Sequence, residues 1–74
     1  MKLTDLKPGQ VAIIKQFDNG ELSLKLLEMG CIPGERILLE QIAPLGGPIS
    51  INISGYSLSL RITEAEAIVV DLTN

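Results

Sequence analysis

The stretch from Ile49 to Ile62 restricts the fold more than any other: Ile49-Ser-Ile-Asn-Ile-Ser54, then Gly55-Tyr56, then Ser57-Leu-Ser-Leu-Arg-Ile62. Apolar and polar residues alternate on both sides of a short glycine-containing link, the pattern of an antiparallel hairpin with one dry and one wet face. With Gly55 and Tyr56 as the turn, Ile53 is expected opposite Leu58, Ile51 opposite Leu60 and Ile49 opposite Ile62, so that all six apolar side chains share a face. Ser50, Asn52, Ser54, Ser57, Ser59 and Arg61 share the other.

The rest of the chain supplies the partners for this hairpin. Val11 to Phe17 and Arg36 to Ile42 are rich in β-branched and aliphatic residues and read as strands, as does Ala67 to Leu72. Leu6-Lys-Pro-Gly9 reads as a turn, Pro44-Leu-Gly-Gly-Pro48 as a loop, and Thr63-Glu-Ala-Glu66 as a single helical or 3₁₀ turn. The connections are short, and one isolated helix cannot supply the crossovers of a parallel sheet. The expected architecture is mainly β: one domain over residues 1–74, a small SH3-like antiparallel barrel of about five strands with one short helix inserted after the first.

That helix, Glu21 to Met29, carries two apolar stripes. At 100° per residue, Leu22, Leu26 and Met29 fall on one side, and Leu24 and Leu27 fall nearly opposite, joined by Cys31 if the helix extends that far. One stripe serves the core, and the second asks for cover. Either a partner supplies it, or Leu24 and Leu27 tuck under the Pro44–Pro48 loop. Asp18, with Glu21 three residues on, or else Asn19, caps the start, and Gly30 with Pro33-Gly34 ends the helix. Glu21, Lys25 and Glu28 read as a solvated face tied by helical ion pairs.

Composition narrows the chemistry. The net charge is −3, with only six Lys and Arg scattered along 74 residues, which argues against nucleic acid and against a polybasic membrane anchor. There is no histidine, and thus no usual general base or commonest metal ligand. Gly46-Gly47 is followed by Pro48 and by no Lys-Ser or Lys-Thr, so no phosphate-binding loop is present. The single cysteine, Cys31, forms no internal disulfide and is expected to be a small buried or half-buried apolar residue. No run approaches the roughly 18 apolar residues of a membrane span, and Met1 to Asp5 lack the apolar block of a signal peptide, so a cytoplasmic location and no membrane insertion are expected. Asp18, Asn19 and Glu21 are hard oxygen donors, but the spacing of an EF-hand loop is missing and a capped helix terminus is the favoured reading. No metal site or cofactor is expected.

Taken in order, Leu26-Leu-Glu-Met-Gly30, Pro33-Gly34, Ala43-Pro-Leu-Gly-Gly-Pro48 and Gly55-Tyr-Ser-Leu-Ser-Leu-Arg61, followed by Ala65 to Val70, resemble the FeoA family of bacterial ferrous-iron uptake. The likeness runs from about Leu3 to Leu72. It implies an SH3-like barrel acting beside FeoB, a membrane transporter with a cytosolic GTP-binding domain. The same module resembles the carboxy-terminal domain of iron-dependent repressors, but nothing in this chain resembles their DNA-binding portion. The resemblance also implies an acidic residue near the position of Gly47, which this chain lacks.

These readings make the chain a non-catalytic accessory that docks on a FeoB-type transporter. The expected contact surface is Leu24, Leu27 and Glu28 on the helix with Leu45, Gly46 and Gly47 on the loop. The alternative is a direct Fe²⁺ carrier or sensor using weak oxygen ligands from Asp18, Glu21, Glu28 or the pair Glu64 and Glu66. A third reading is weak self-association of an otherwise monomeric chain through barrel edges or the second stripe.

Overall fold

In the computed structural model, which describes residues 1–73, a 3₁₀ turn at Leu3–Asp5 precedes five strands and two helices. These are β1 (Val11–Phe17), α1 (Gly20–Glu28), β2 (Arg36–Ile42), β3 (Ile49–Ile53), β4 (Tyr56–Leu60), α2 (Ile62–Glu66) and β5 (Ile68–Leu72). All pairings are antiparallel in the order β4-β3-β2-β1-β5. Consecutive strands pair as neighbours except β5, which returns beside β1.

Two bulges bend this sheet towards a barrel. Lys15 is the extra residue between Ile14 and Gln16 where β1 meets β5, and Glu40 is the extra residue between Leu39 and Gln41 where β2 meets β3. An extra residue kinks its strand and steepens the local twist, which lets five short strands wrap one core. Ile14, Ile37, Leu39, Ile51, Ile53, Leu60, Ile68 and Val70 all point into it and are shielded from solvent. Leu3 and Leu6 close the bottom from the amino-terminal segment.

The hairpin forms with its dry and wet faces as expected, but its register differs. Ser54 and Gly55 make the turn, with φ of 52° and 84°, the two left-handed residues of a type I′ turn. Ile53 therefore pairs with Tyr56, Ile51 with Leu58 and Ile49 with Leu60. A two-residue change of partner leaves each side chain on its original face, because the period of a strand is two. It also releases Ile62 from the hairpin to open α2, where it packs half-buried against the core.

The two edges of the sheet are treated differently. On β5, Val70 donates to the Met1 carbonyl at 2.8 Å and Val69 bridges Lys2, so the amino terminus covers that edge. On β4, Ser57 and Ser59 are exposed, and among the described residues their backbone groups have no hydrogen bond beyond the β3 ladder. That edge is open.

Candidate functional site

Helix α1 is fixed at both ends by its own sequence. Asn19, not Asp18, is the cap: its Oδ1 accepts from the Glu21 amide at 3.0 Å. Asp18 turns instead to Lys2, with its carboxylate 3.7 Å from the ammonium. At the other end Gly30 takes φ of 100°, the Gly30 amide bonds the Leu27 carbonyl at 3.0 Å, and the Cys31 amide bonds the Leu26 carbonyl at 2.9 Å. This pair of bonds is a Schellman motif, whose usual apolar contact between the residue past the glycine and the last inward residue is made by Cys31 and Leu26, both fully buried. The motif corrects the placement of Cys31 on the outer stripe: the helix stops at Glu28, and the left-handed glycine swings Cys31 into the core. Burial pushes the Cys31 thiol up to about 11, and the Glu64 carboxylate nearby acts in the same direction.

The hairpin holds this end of the helix. Tyr56 donates its hydroxyl to the Met29 carbonyl at 3.0 Å and lies over Gly30 so closely that a Cβ there would overlap the hydroxyl oxygen. Glycine at 30 thus answers two demands, a positive φ and the approach of a tyrosine.

The polar face between the stripes is not the surface ladder expected from i,i+3 and i,i+4 spacing. Lys25 reaches across to α2 and pairs with Glu64, Nζ to Oε2 at 2.7 Å, while Oε1 of the same carboxylate accepts from the Arg61 amide at 2.8 Å. Glu64 is buried and Lys25 is half-exposed above it. The Lys25 hydrogen bond and then the Arg61 amide hold the Glu64 carboxyl below its ordinary value, outweighing the opposite effect of burial. Glu64 is thereby committed as a clamp between helices, and Glu66 lies exposed.

The outer stripe faces away from the core. Leu24 is 66% exposed and Leu27 42% exposed, with Glu28 exposed beside them. Neither leucine is tucked under the Pro44–Pro48 loop. The loop closes on itself, with the Ala43 amide on the Pro48 carbonyl at 3.0 Å and the Gly47 amide on the Pro44 carbonyl at 3.3 Å. Leu45 projects from its tip with φ of 60°, followed by Gly46 with φ of 75°. A Cβ on Gly47 would fall 2.7 Å from that of Ala43, so this loop conformation has no room for a side chain where the resemblance implies an acidic one. The loop leads into β3 near the start of α2: Ile49, which follows the loop, pairs with Leu60, and α2 begins two residues later. Ile32, 49% exposed just past the buried Cys31, is a further outward apolar residue that the helical period could not place.

Among the described residues, no three His, Cys, Asp or Glu side chains come together as metal ligands would. A shallow groove of about 790 Å³ at the start of α1, lined by Lys2, Asp18, Asn19, Glu21, Thr63 and Glu66, mixes both signs of charge. No helix of the described residues is long and apolar enough to cross a membrane.

The FeoA domain family matches residues 1–72. This chain belongs to the FeoA family. A curated relative from Porphyromonas gingivalis, an Fe(2+) transport protein A/Fe(2+) transporter FeoB fusion protein, is 37% identical over 73 residues, covering 97% of this chain but only 9% of the relative. The solution structure of iron(II) transport protein A from Clostridium thermocellum is 46% identical with a TM-score of 0.88, over 97% of this chain and 45% of that one. FeoA from Stenotrophomonas maltophilia, described in complex with zinc as a prokaryotic SH3 domain protein, is 28% identical with a TM-score of 0.79, over 96% of this chain and 89% of that one. The SH3-like barrel of this FeoA-family chain is therefore shared with its relatives.

Proposed function

We propose that this chain is a non-catalytic accessory of ferrous-iron uptake that docks on the cytosolic region of a FeoB-type transporter. The observation that carries this reading is the Porphyromonas gingivalis relative, in which a section similar to 97% of this chain is joined covalently to a FeoB transporter. Fusion keeps two modules at high effective concentration, an arrangement suited to modules that act on each other. The outward stripe of α1 suits the same role. Leu24 and Leu27 are apolar, exposed and carried on a helix capped at both ends, and Leu45 stands fully out on the β2–β3 loop. Preorganised apolar side chains bind at lower entropic cost than mobile ones.

An amide NMR titration of the chain with the FeoB cytosolic region, with and without Fe²⁺, tests this. Shifts are expected on Leu24, Leu27, Glu28 and Leu45 to Gly47, and the double variant Leu24→Ser/Leu27→Ser should abolish them while its own spectrum stays folded. Shifts confined to the carboxylate residues Asp18, Glu21, Glu28, Glu64 and Glu66 on adding metal alone would instead make the chain an Fe²⁺ carrier.

A further inference from the structure

The open edge of β4 reads the same in both directions. A two-residue turn makes its flanking pair, Ile53 and Tyr56, a hydrogen-bonded pair, and bonding alternates along the ladder from there. Tyr56, Leu58 and Leu60 consequently aim their N–H and C=O groups at β3, while Ser57 and Ser59 aim theirs away from it. These two residues lie one on each side of Leu58. If a second β4 runs antiparallel to the first with Leu58 on the two-fold axis, Ser57 of each strand falls opposite Ser59 of the other. Each such pair exchanges both of its backbone bonds, so four outward groups per strand are satisfied with none left over. Leu58 then meets its own copy at the closer, non-bonded position, where side chains approach most tightly.

Charge agrees with this register. Continuing the pairing outward sets Arg61 of one strand opposite Gly55 of the other, next to Ser54, whose hydroxyl donates to the Glu35 carboxylate at 3.4 Å. Among the described residues neither Arg61 nor Glu35 is in an ion pair within the chain. Two-fold symmetry brings these opposite charges together twice. The edge also lacks the devices that usually discourage strand addition: Tyr56 to Leu60 contain no lysine, no proline and no bulge, whereas the β5 edge is already covered by Met1 and Lys2.

We propose that the outer edge of β4 is a self-association surface, on which a second copy of this chain adds antiparallel with Leu58 at the axis. Five residues per strand bury far less area than a permanent dimer requires, so the association is weak and grows with local concentration.

The test is sedimentation equilibrium of the full chain up to millimolar concentration, with amide exchange read in parallel. A concentration-dependent mass approaching two chains is expected, with the Ser57 and Ser59 amides slowing as dimer forms. Ser59→Pro removes an outward N–H without touching the β3 ladder and should weaken association by about tenfold or more. Arg61→Glu should weaken it as well, and adding Glu35→Arg to that variant should restore it, a rescue that a general loss of folding cannot mimic. A chain that stays monomeric at millimolar concentration overturns the proposal. So does a dimer insensitive to Ser59→Pro, or one whose protected amides lie on α1.

Discussion

The two faces of α1 are built from the same residue types and have opposite fates. The inner face gives Leu26 wholly to the core, with Leu22 and Met29 half-buried around it, whereas the outer face leaves Leu24 and Leu27 in solvent. Their positions relative to the Lys25–Glu64 clamp explain the difference. The clamp joins α1 to α2, the Tyr56 hydroxyl holds the last turn, and together they fix the rotation of the helix about its own axis. A nine-residue helix is too short to hold its place by propensity, so its neighbours decide which leucines are dry.

The sharpest way to break this contrast is at its buried pole. Leu26→Ala should cost about 2–5 kcal/mol of unfolding free energy by urea titration, because the site is bounded by the Schellman turn and can collapse only in part. Such a loss is a large share of the stability of so small a domain.

The clamp comes next. Glu64→Gln keeps an acceptor for the Arg61 amide but loses the charge facing Lys25, and with that lysine half-exposed the loss should be about 1 kcal/mol. Its pH dependence is the more diagnostic reading. A carboxyl held below its ordinary value of 4.5 when folded stabilises the native state fully above that value, and the contribution fades as pH falls through the lower folded value. The stability gap between the parent chain and Glu64→Gln should therefore be constant near neutrality and close in acid. A gap that persists at low pH would mean that the clamp works through packing instead of charge.

The smallest effect on stability belongs to the outer pole. Leu24→Ser/Leu27→Ser should cost under about 1 kcal/mol, mostly through helix propensity, while removing the docking measured by NMR. A loss comparable to that of Leu26→Ala would show that the stripe is part of the core in solution.

Much of the barrel is legible in the sequence because its strands announce themselves locally. β1 and β2 begin and end where the β-rich runs do, at Val11 and Phe17 and at Arg36 and Ile42, since turn residues flank each run. The hairpin was harder. Gly55 signals a turn but not which side of it the second turn residue lies, and a serine with positive φ at position 54 has no composition signature. The two stripes of α1 follow from periodicity alone, and so does the asymmetry between them once Leu26 is known to be buried. What periodicity could not supply are contacts across sequence distance: Lys25 looks like a partner for Glu21 or Glu28 until folding brings Glu64 to it. Tyr56 over Gly30 is of the same kind, for nothing in a helix-ending glycine says that an aromatic ring from the next hairpin will lie on it.

Cys31 gives the molecule a clock of its own. Its sulfur is covered completely and its thiol holds its proton to about pH 11, so at neutral pH a thiol reagent finds almost no nucleophile and no path to it. Alkylation must wait for the turn after α1 to come away from the core, and where reclosing outpaces alkylation its rate follows the fraction of time spent open. In the parent chain labelling should run slowly and quicken as urea raises the population of open states. In Leu26→Ala, which empties the space beside the thiol, it should quicken without urea, so a single atom would report how tightly the inner face of α1 is kept shut.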